Sequence, residues 1–219
     1  MATRWTGCSA VARLFIIRHG NTFDRGDTVL RVGGRTDLPL SQSGRAQAHD
    51  LARHFAKLRL GACRLLTSPL KRTLETAQAI ADGLDAGPRP PQPPLTLRID
   101  PRLREIDYGP DEGKPEADVV ARIGQAALDA WEARSAVPPG WRVDPDALTA
   151  MWRALLAEAA AAPEPMLVVT SNGIARFALG LVLRDAALGA KLRTGAYGAI
   201  DLSGPAPRLT EWDVRPPPD

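Results

Sequence analysis

Apolar residues fall along this chain in short runs that alternate with amphipathic stretches. Leu14-Phe15-Ile16-Ile17 is a continuous apolar run bounded by turn-forming residues, the pattern of a buried strand. It stops abruptly at Arg18-His19-Gly20. Residues 23–40 have no periodicity, and Gly26, Gly33, Gly34 and Pro39 punctuate them. They predict a long loop, and a loop of that length in a compact domain is usually functional. Residues 41–58 place Ala48, Leu51, Phe55 and Leu58 on one helical stripe, with Ser41 or Ser43 available as the cap. Residues 63–68 predict a second strand. Pro69 suits the first turn of a helix over 70–81 that buries Leu70, Leu74, Ala77 and Ala81.

The same alternation continues toward the C-terminus. Residues 86–94 are a Pro-rich connector, and 95–99 predict a third short strand. A polar loop carrying Glu105, Asp107 and Tyr108 follows. Residues 117–162 have helical spacing, and Pro138-Pro139-Gly140 splits them into two predicted helices with Trp131, Trp141 and Trp152 as packing residues. Met166-Leu167-Val168-Val169-Thr170 is a strong strand signal, broken by Ser171-Asn172-Gly173 before a helix resumes over 174–183. Two further strands, 196–202 and 208–214, are joined across Gly204-Pro205 as a hairpin. The Pro-rich end from Pro216 predicts a frayed terminus. Strands alternating with helices predict an α/β fold: a mostly parallel central sheet, helices on both faces, a hairpin at one edge, and a helical insert at 114–162 that could cap a site. The expected organisation is one domain over 1–219.

Composition narrows the partners. With 219 residues and a net charge of +3 the chain is large enough for a sizeable core, and its basic and acidic residues are interleaved rather than blocked. Nucleic acid is therefore not an expected partner; a few arginines focused on a small anion suit the pI of 9.2 better. Cys8 and Cys63 are the only cysteines, without a C-x-x-C pair, so a reducing, cytoplasmic setting is expected. The N-terminal residues lack the apolar core of a signal peptide, and the run at 14–17 is too short to cross a membrane.

The chemistry sits at the end of the first strand. Strand ends in open α/β sheets are where ligands bind. Arg18 can fork onto two anion oxygens, His19 can act as a nucleophile or proton carrier, and Gly20 admits close backbone approach. Arg72 falls near the start of a helix just past another strand end, where helix dipole and guanidinium both favour an anion. His49 and His54, the only other histidines, lie five apart on the first helix and read as ordinary surface or boundary residues.

Three separated stretches together resemble the histidine phosphatase superfamily, also called phosphoglycerate-mutase-like. They are Arg18-His19-Gly20-Asn21-Thr22; Asp37-Leu38-Pro39-Leu40-Ser41 with Gly44, Gln47 and Ala48; and Ser68-Pro69-Leu70 with Arg72, Thr73, Thr76 and Ala77. Leu103, Glu105, Tyr108, Gly109, Glu112 and Gly113 look like the segment that supplies the acid in that family. The resemblance implies a phosphohistidine at His19, Arg18 and Arg72 on the phosphoryl oxygens with Asn21 or Thr22 assisting, and Glu105 as the proton donor. It implies no cofactor and no metal, and a small phosphorylated substrate or inorganic phosphate as the partner.

One element departs from the family pattern. A second histidine is expected after the late strand. Alignment on the following Gly-Ile-x-Arg places Ser171 there, and a one-residue slip places Asn172 there. Both are candidate phosphate contacts, and neither brings a positive charge. Arg25, Arg31 and Arg176 are candidates to compensate. The leading expectation is a phosphatase on a small phosphomonoester; the alternative is a phospholigand-binding or regulatory protein of the same fold, and a mutase ranks lower.

Overall fold

The computed structural model describes residues 12–60, 62–86, 95, 97–185 and 188–218. The N-terminal stretch with Cys8 and nearly all of the Pro-rich connector lie outside the described residues. Strand β1 (Arg13–Arg18) leads through helix α1 (Gln42–Lys57) to β2 (Arg64–Thr67), and through α2 (Lys71–Ala86) to β3 (Leu97–Ile99). After two short 3-10 turns come α3 (Glu116–Ile123), α4 (Gln125–Arg134) and α5 (Pro145–Ala160). Strand β4 (Met166–Thr170), the short helix α6 (Asn172–Ala175), β5 (Tyr197–Asp201) and β6 (Arg208–Val214) complete the chain.

The six strands form one sheet in the order β3-β2-β4-β1-β5-β6. β1 to β4 run parallel, and β5 and β6 add an antiparallel hairpin at one edge, as expected. Because side chains alternate along a strand, the apolar runs serve both faces. Phe15, Ile17, Leu65, Leu167 and Val169 pack with Leu51 and Phe55 of α1 and Ala77 and Ile80 of α2. Leu14, Ile16, Leu66, Met166 and Val168 pack with Trp152 and Leu155 of α5 and with Trp131 and Trp141. A strand covered on both faces must be apolar at successive positions, which is why these runs show no alternation. No described helix is long and apolar enough to cross a membrane.

Two predicted helical regions differ. Residues 116–160 form three helices rather than two, because Gly124 sits at φ 78° and ends α3 before α4 begins. The helix expected over 174–183 begins earlier, at Asn172. It tightens after Ala175 into a 3-10 segment, Arg176–Leu181.

The turn that leaves β1 lies on the N-terminus of α1. Ser41 caps that helix by accepting from the Gly44 N–H at 3.2 Å. A Cβ on Gly20 would stand 2.2 Å from the Gly44 carbonyl oxygen, and one on Gly44 would stand 2.0 Å from the Asn21 carbonyl oxygen. Backbone therefore meets backbone where the Arg-His-Gly turn is fixed. Gly44→Ala is expected to lower stability by about 1–3 kcal/mol, the range for overpacking a close contact, measured by thermal or denaturant unfolding. An unchanged midpoint would show that the contact yields freely.

Candidate active site

Strand ends and the turns that follow them deliver the site residues. Arg18 closes β1 and pairs in register with Thr170 at the end of β4, so His19 and Ser171 leave neighbouring strands side by side. The His19 N–H donates to the Thr170 carbonyl at 3.1 Å. Arg72 stands in the first turn of α2, after β2. Glu105 follows β3 and its 3-10 turn, Pro101–Leu103. Segments far apart in sequence thus meet at the C-terminal ends of the parallel strands.

The tautomer of His19 follows from its partners. Its Nδ1 lies 2.7 Å from the Gly20 carbonyl oxygen, and Arg72 Nε donates to its Nε2 at 3.2 Å. A carbonyl only accepts and a guanidinium only donates. The ring proton is therefore on Nδ1, and Nε2 presents a lone pair. His19 is buried, and burial, then Arg72, then Arg18, hold its pKa well below the ordinary imidazole value, against a smaller opposing effect from the Gly20 bond.

Arg72 is only 1% exposed, and its guanidinium is fixed by backbone. Nη1 donates to the Thr36 carbonyl at 3.0 Å and Nη2 to the Gly33 carbonyl at 3.2 Å. Both acceptors belong to the long loop after β1, so that loop orients the arginine against His19. Arg18 donates through Nη1 to the Leu192 carbonyl at 2.7 Å, while its buried Nε has no protein partner. Burial lowers the pKa of both arginines.

Glu105 is buried. Its Oε1 accepts from the Ile106 N–H at 2.9 Å and its Oε2 from the Gly173 N–H at 3.3 Å. A Cβ at position 173 would lie 2.3 Å from Oε1, so the glycine after Ser171-Asn172 makes room for the acid. Asp107 turns instead to Arg35 at 3.1 Å and Arg142 at 3.3 Å. Burial, and then Glu105, push the Tyr108 hydroxyl pKa up.

These groups line a cavity of about 440 Å³ that Arg18, His19, Asn21, Thr22, Arg72, Glu105 and Asn172 share. Asn21 is tied down: Nδ2 donates to Ser43 Oγ at 3.0 Å and Oδ1 accepts from the Thr194 hydroxyl. Asn172 reaches the cavity, and its Oδ1 accepts from the Leu192 N–H at 2.8 Å. Ser171, the other expected phosphate contact, follows Thr170 as His19 follows Arg18, but it is not among the residues that line the cavity, and its hydroxyl is buried without a partner.

The candidate compensating arginines separate. Arg25 is exposed and does not line the cavity. Arg31 does line it, but pairs with Glu116 and lies 5.2 Å from the Tyr108 and Trp141 rings. Arg176 is buried 4.2 Å from the Trp131 ring and pairs with Glu132 at 3.1 Å. His49 is exposed, and His54 stacks against Tyr197 at 4.9 Å.

Sequence reasoning missed four polar lining residues: Glu116 and Glu132 on the helical segment, and Lys191 and Thr194 before β5. No motif marks them. Only the fold carries their segments to the strand ends. Among the described residues no group of three or more His, Cys, Asp or Glu is placed to hold a metal ion.

Comparison with known proteins identifies the family and the fold. The model of the histidine phosphatase superfamily (branch 1) matches residues 14–214. The probable phosphoglycerate mutase GpmB of Yersinia pestis (strain Pestoides F) is 34% identical over 103 residues. That match spans 47% of this chain and 42% of that protein's length. The native mycobacterial glucosyl-3-phosphoglycerate phosphatase superposes with a TM-score of 0.72 at 25% identity, covering 93% of this chain and 99% of that one. Its complex with VO3 gives a TM-score of 0.72 at 26% identity, covering 92% and 98%.

The depressed pKa of His19 has a readable sign. Above an ordinary imidazole pKa of about 6.5 the residue is neutral whether folded or not. Below it, the unfolded chain takes the proton first, so the fold loses stability from about pH 6.5 down to the folded pKa. NMR of the ring nitrogens in phosphate-free buffer at about pH 6, just under that ordinary value, is expected to show neutral His19 with the proton on Nδ1. An imidazolium spectrum at that pH would refute the assignment.

Proposed function

The chain belongs to the histidine phosphatase superfamily, and from that premise and the site geometry we propose that it is a phosphatase acting on a small phosphomonoester through a phosphohistidine at His19. The observation that carries the reading is the neutral His19, whose Nε2 lone pair meets Arg72 in a cavity that Arg18 also lines. The unpartnered Nε of Arg18, which lines the cavity, supports it further, since it is a buried donor that an anion could satisfy.

The proposed steps balance. His19 Nε2 attacks phosphorus as Arg72 Nε shifts its N–H from that lone pair to a phosphoryl oxygen and the ester P–O bond breaks, and Glu105 gives its carboxyl proton to the leaving oxygen. Water then attacks the phosphorus, Glu105 takes a water proton, and the P–N bond breaks to release phosphate and neutral His19. Arg18 and Arg72 stabilise charge on the equatorial oxygens throughout. The Gly20 carbonyl holds the Nδ1 proton, which eases the positive charge that forms on the phosphorylated ring.

The second reading, a phospholigand binder without turnover, is favoured by the uncharged Ser171 where the family places a histidine. A mutase, which would have to shield its phosphoenzyme from water, ranks below both.

Phosphate release from a panel of phosphomonoesters separates the readings. Wild-type protein is expected to release phosphate and His19→Ala to fall to background. Arg72→Ala is expected to lose about 10²–10³-fold and Glu105→Gln about 10²–10⁴-fold. Phosphate binding without release from any ester would establish the binder instead.

A further inference from the structure

The sequence leaves a charge missing. Where the family pattern has a histidine the chain has Ser171, beside His19 at the paired strand ends and neutral. Arg18, Arg31, Arg72 and Lys191 are the arginine and lysine residues that line the cavity. Arg72 donates to His19, and Arg18 precedes it at the strand end. Arg31 has a buried Nε without a partner, but its charge is offset by the ion pair with Glu116, and it lies near the Tyr108 and Trp141 rings. Lys191 forms no ion pair among the described residues, so its charge is uncommitted.

The segment that carries Lys191 is anchored to the site residue by residue. Leu192 donates its N–H to Asn172 Oδ1 at 2.8 Å and accepts from Arg18 Nη1 at 2.7 Å. Thr194 donates its hydroxyl to Asn21 Oδ1, and the Gly195 N–H donates to the His19 carbonyl at 3.0 Å. Arg193 turns outward to Asp213 at 2.6 Å. A Cβ on Gly195, at φ 68°, would come within 2.7 Å of Gln47 Cβ. The segment is therefore fixed against Arg18, His19, Asn21 and Asn172. The residue whose side chain is left to the cavity at its start is Lys191.

We propose that Lys191 supplies the third positive charge on the phosphoryl group, in place of the histidine that Ser171 replaces, and that Asn172 positions it by holding Leu192. This rests on the phosphate-site reading above. An ammonium on a flexible stem is a point charge that can follow the phosphoryl group between substrate, phosphohistidine and product. Ser171 brings no charge to the strand end, and Lys191 restores it.

The experiment uses the full chain. Wild type, Lys191→Met, Lys191→Arg, Asn172→Ala and Lys191→Met with Ser171→His are compared for hydrolysis of p-nitrophenyl phosphate and for inhibition by inorganic phosphate. Lys191 is exposed, so its variants are expected to fold, which circular dichroism checks. Lys191→Met is expected to weaken phosphate inhibition and kcat/KM each by about tenfold, the scale of one charge-assisted hydrogen bond. Asn172→Ala is expected to lose part of the same, Lys191→Arg to retain both, and Ser171→His to restore part of the loss. The Lys191→Met deficit should shrink in about 1 M salt, because an exposed cation is screened. Inorganic phosphate reports binding apart from the leaving group, so unchanged phosphate inhibition in Lys191→Met would overturn the assignment whatever happens to the ester. If wild type hydrolyses nothing, the catalytic reading fails. The Lys191 assignment is then decided by calorimetric phosphate binding, where equal affinity of wild type and Lys191→Met overturns it and weaker binding upholds it.

Discussion

A buried guanidinium donating to an unprotonated imidazole is the contact around which this site is arranged. Arg72 Nε to His19 Nε2, at 3.2 Å, works only while Nε2 keeps its lone pair. Burial and two nearby arginines enforce that state, because a further cation in the same low-dielectric space is costly. The same contact sets the demand on the rest of the chain. Arg72 has to be buried with its donors satisfied, and the Thr36 and Gly33 carbonyls meet that demand. The Nδ1 proton has to be held on the far side of the ring, and the Gly20 carbonyl meets it.

Those backbone acceptors explain why glycine and loop positions matter here. Gly20 and Gly44 let the β1 exit lie directly on the start of α1, and Gly173 lets Glu105 lie against the exit of β4. Each contact replaces a side chain with a carbonyl or N–H at close range. The long loop after β1 is thereby an acceptor scaffold for an arginine, and its irregular backbone follows from pointing carbonyls inward instead of pairing them in a ladder.

Electrostatics at the opposite wall are arranged differently. Ser171 takes the place beside His19 without adding charge. Glu116 and Glu132 are each neutralised by an arginine, Arg31 and Arg176. That leaves Arg18, Arg72 and Lys191 as the cavity-lining cations without a carboxylate ion pair among the described residues.

Much of this is legible in the amino-acid order. Unbroken apolar runs at 14–17 and 166–169 require strands covered on both faces, and helical stripes between them supply the covers. The Arg18-His19-Gly20 turn, the position of Arg72 and the identity of Glu105 follow from local pattern and resemblance. The break at Gly124 is not legible, because one glycine in an Ala-rich stretch carries only a weak helix penalty, and the helix stops there through a positive φ. Local pattern is enough to place the strands, the sheet type and the polar residues that leave the strand ends. Folding in three dimensions settled which proton His19 holds, which arginines are already paired, and that Lys191 enters the cavity. Those outcomes depend on backbone acceptors and charges brought together across long stretches of chain, and no local pattern encodes a contact whose partner is so far away.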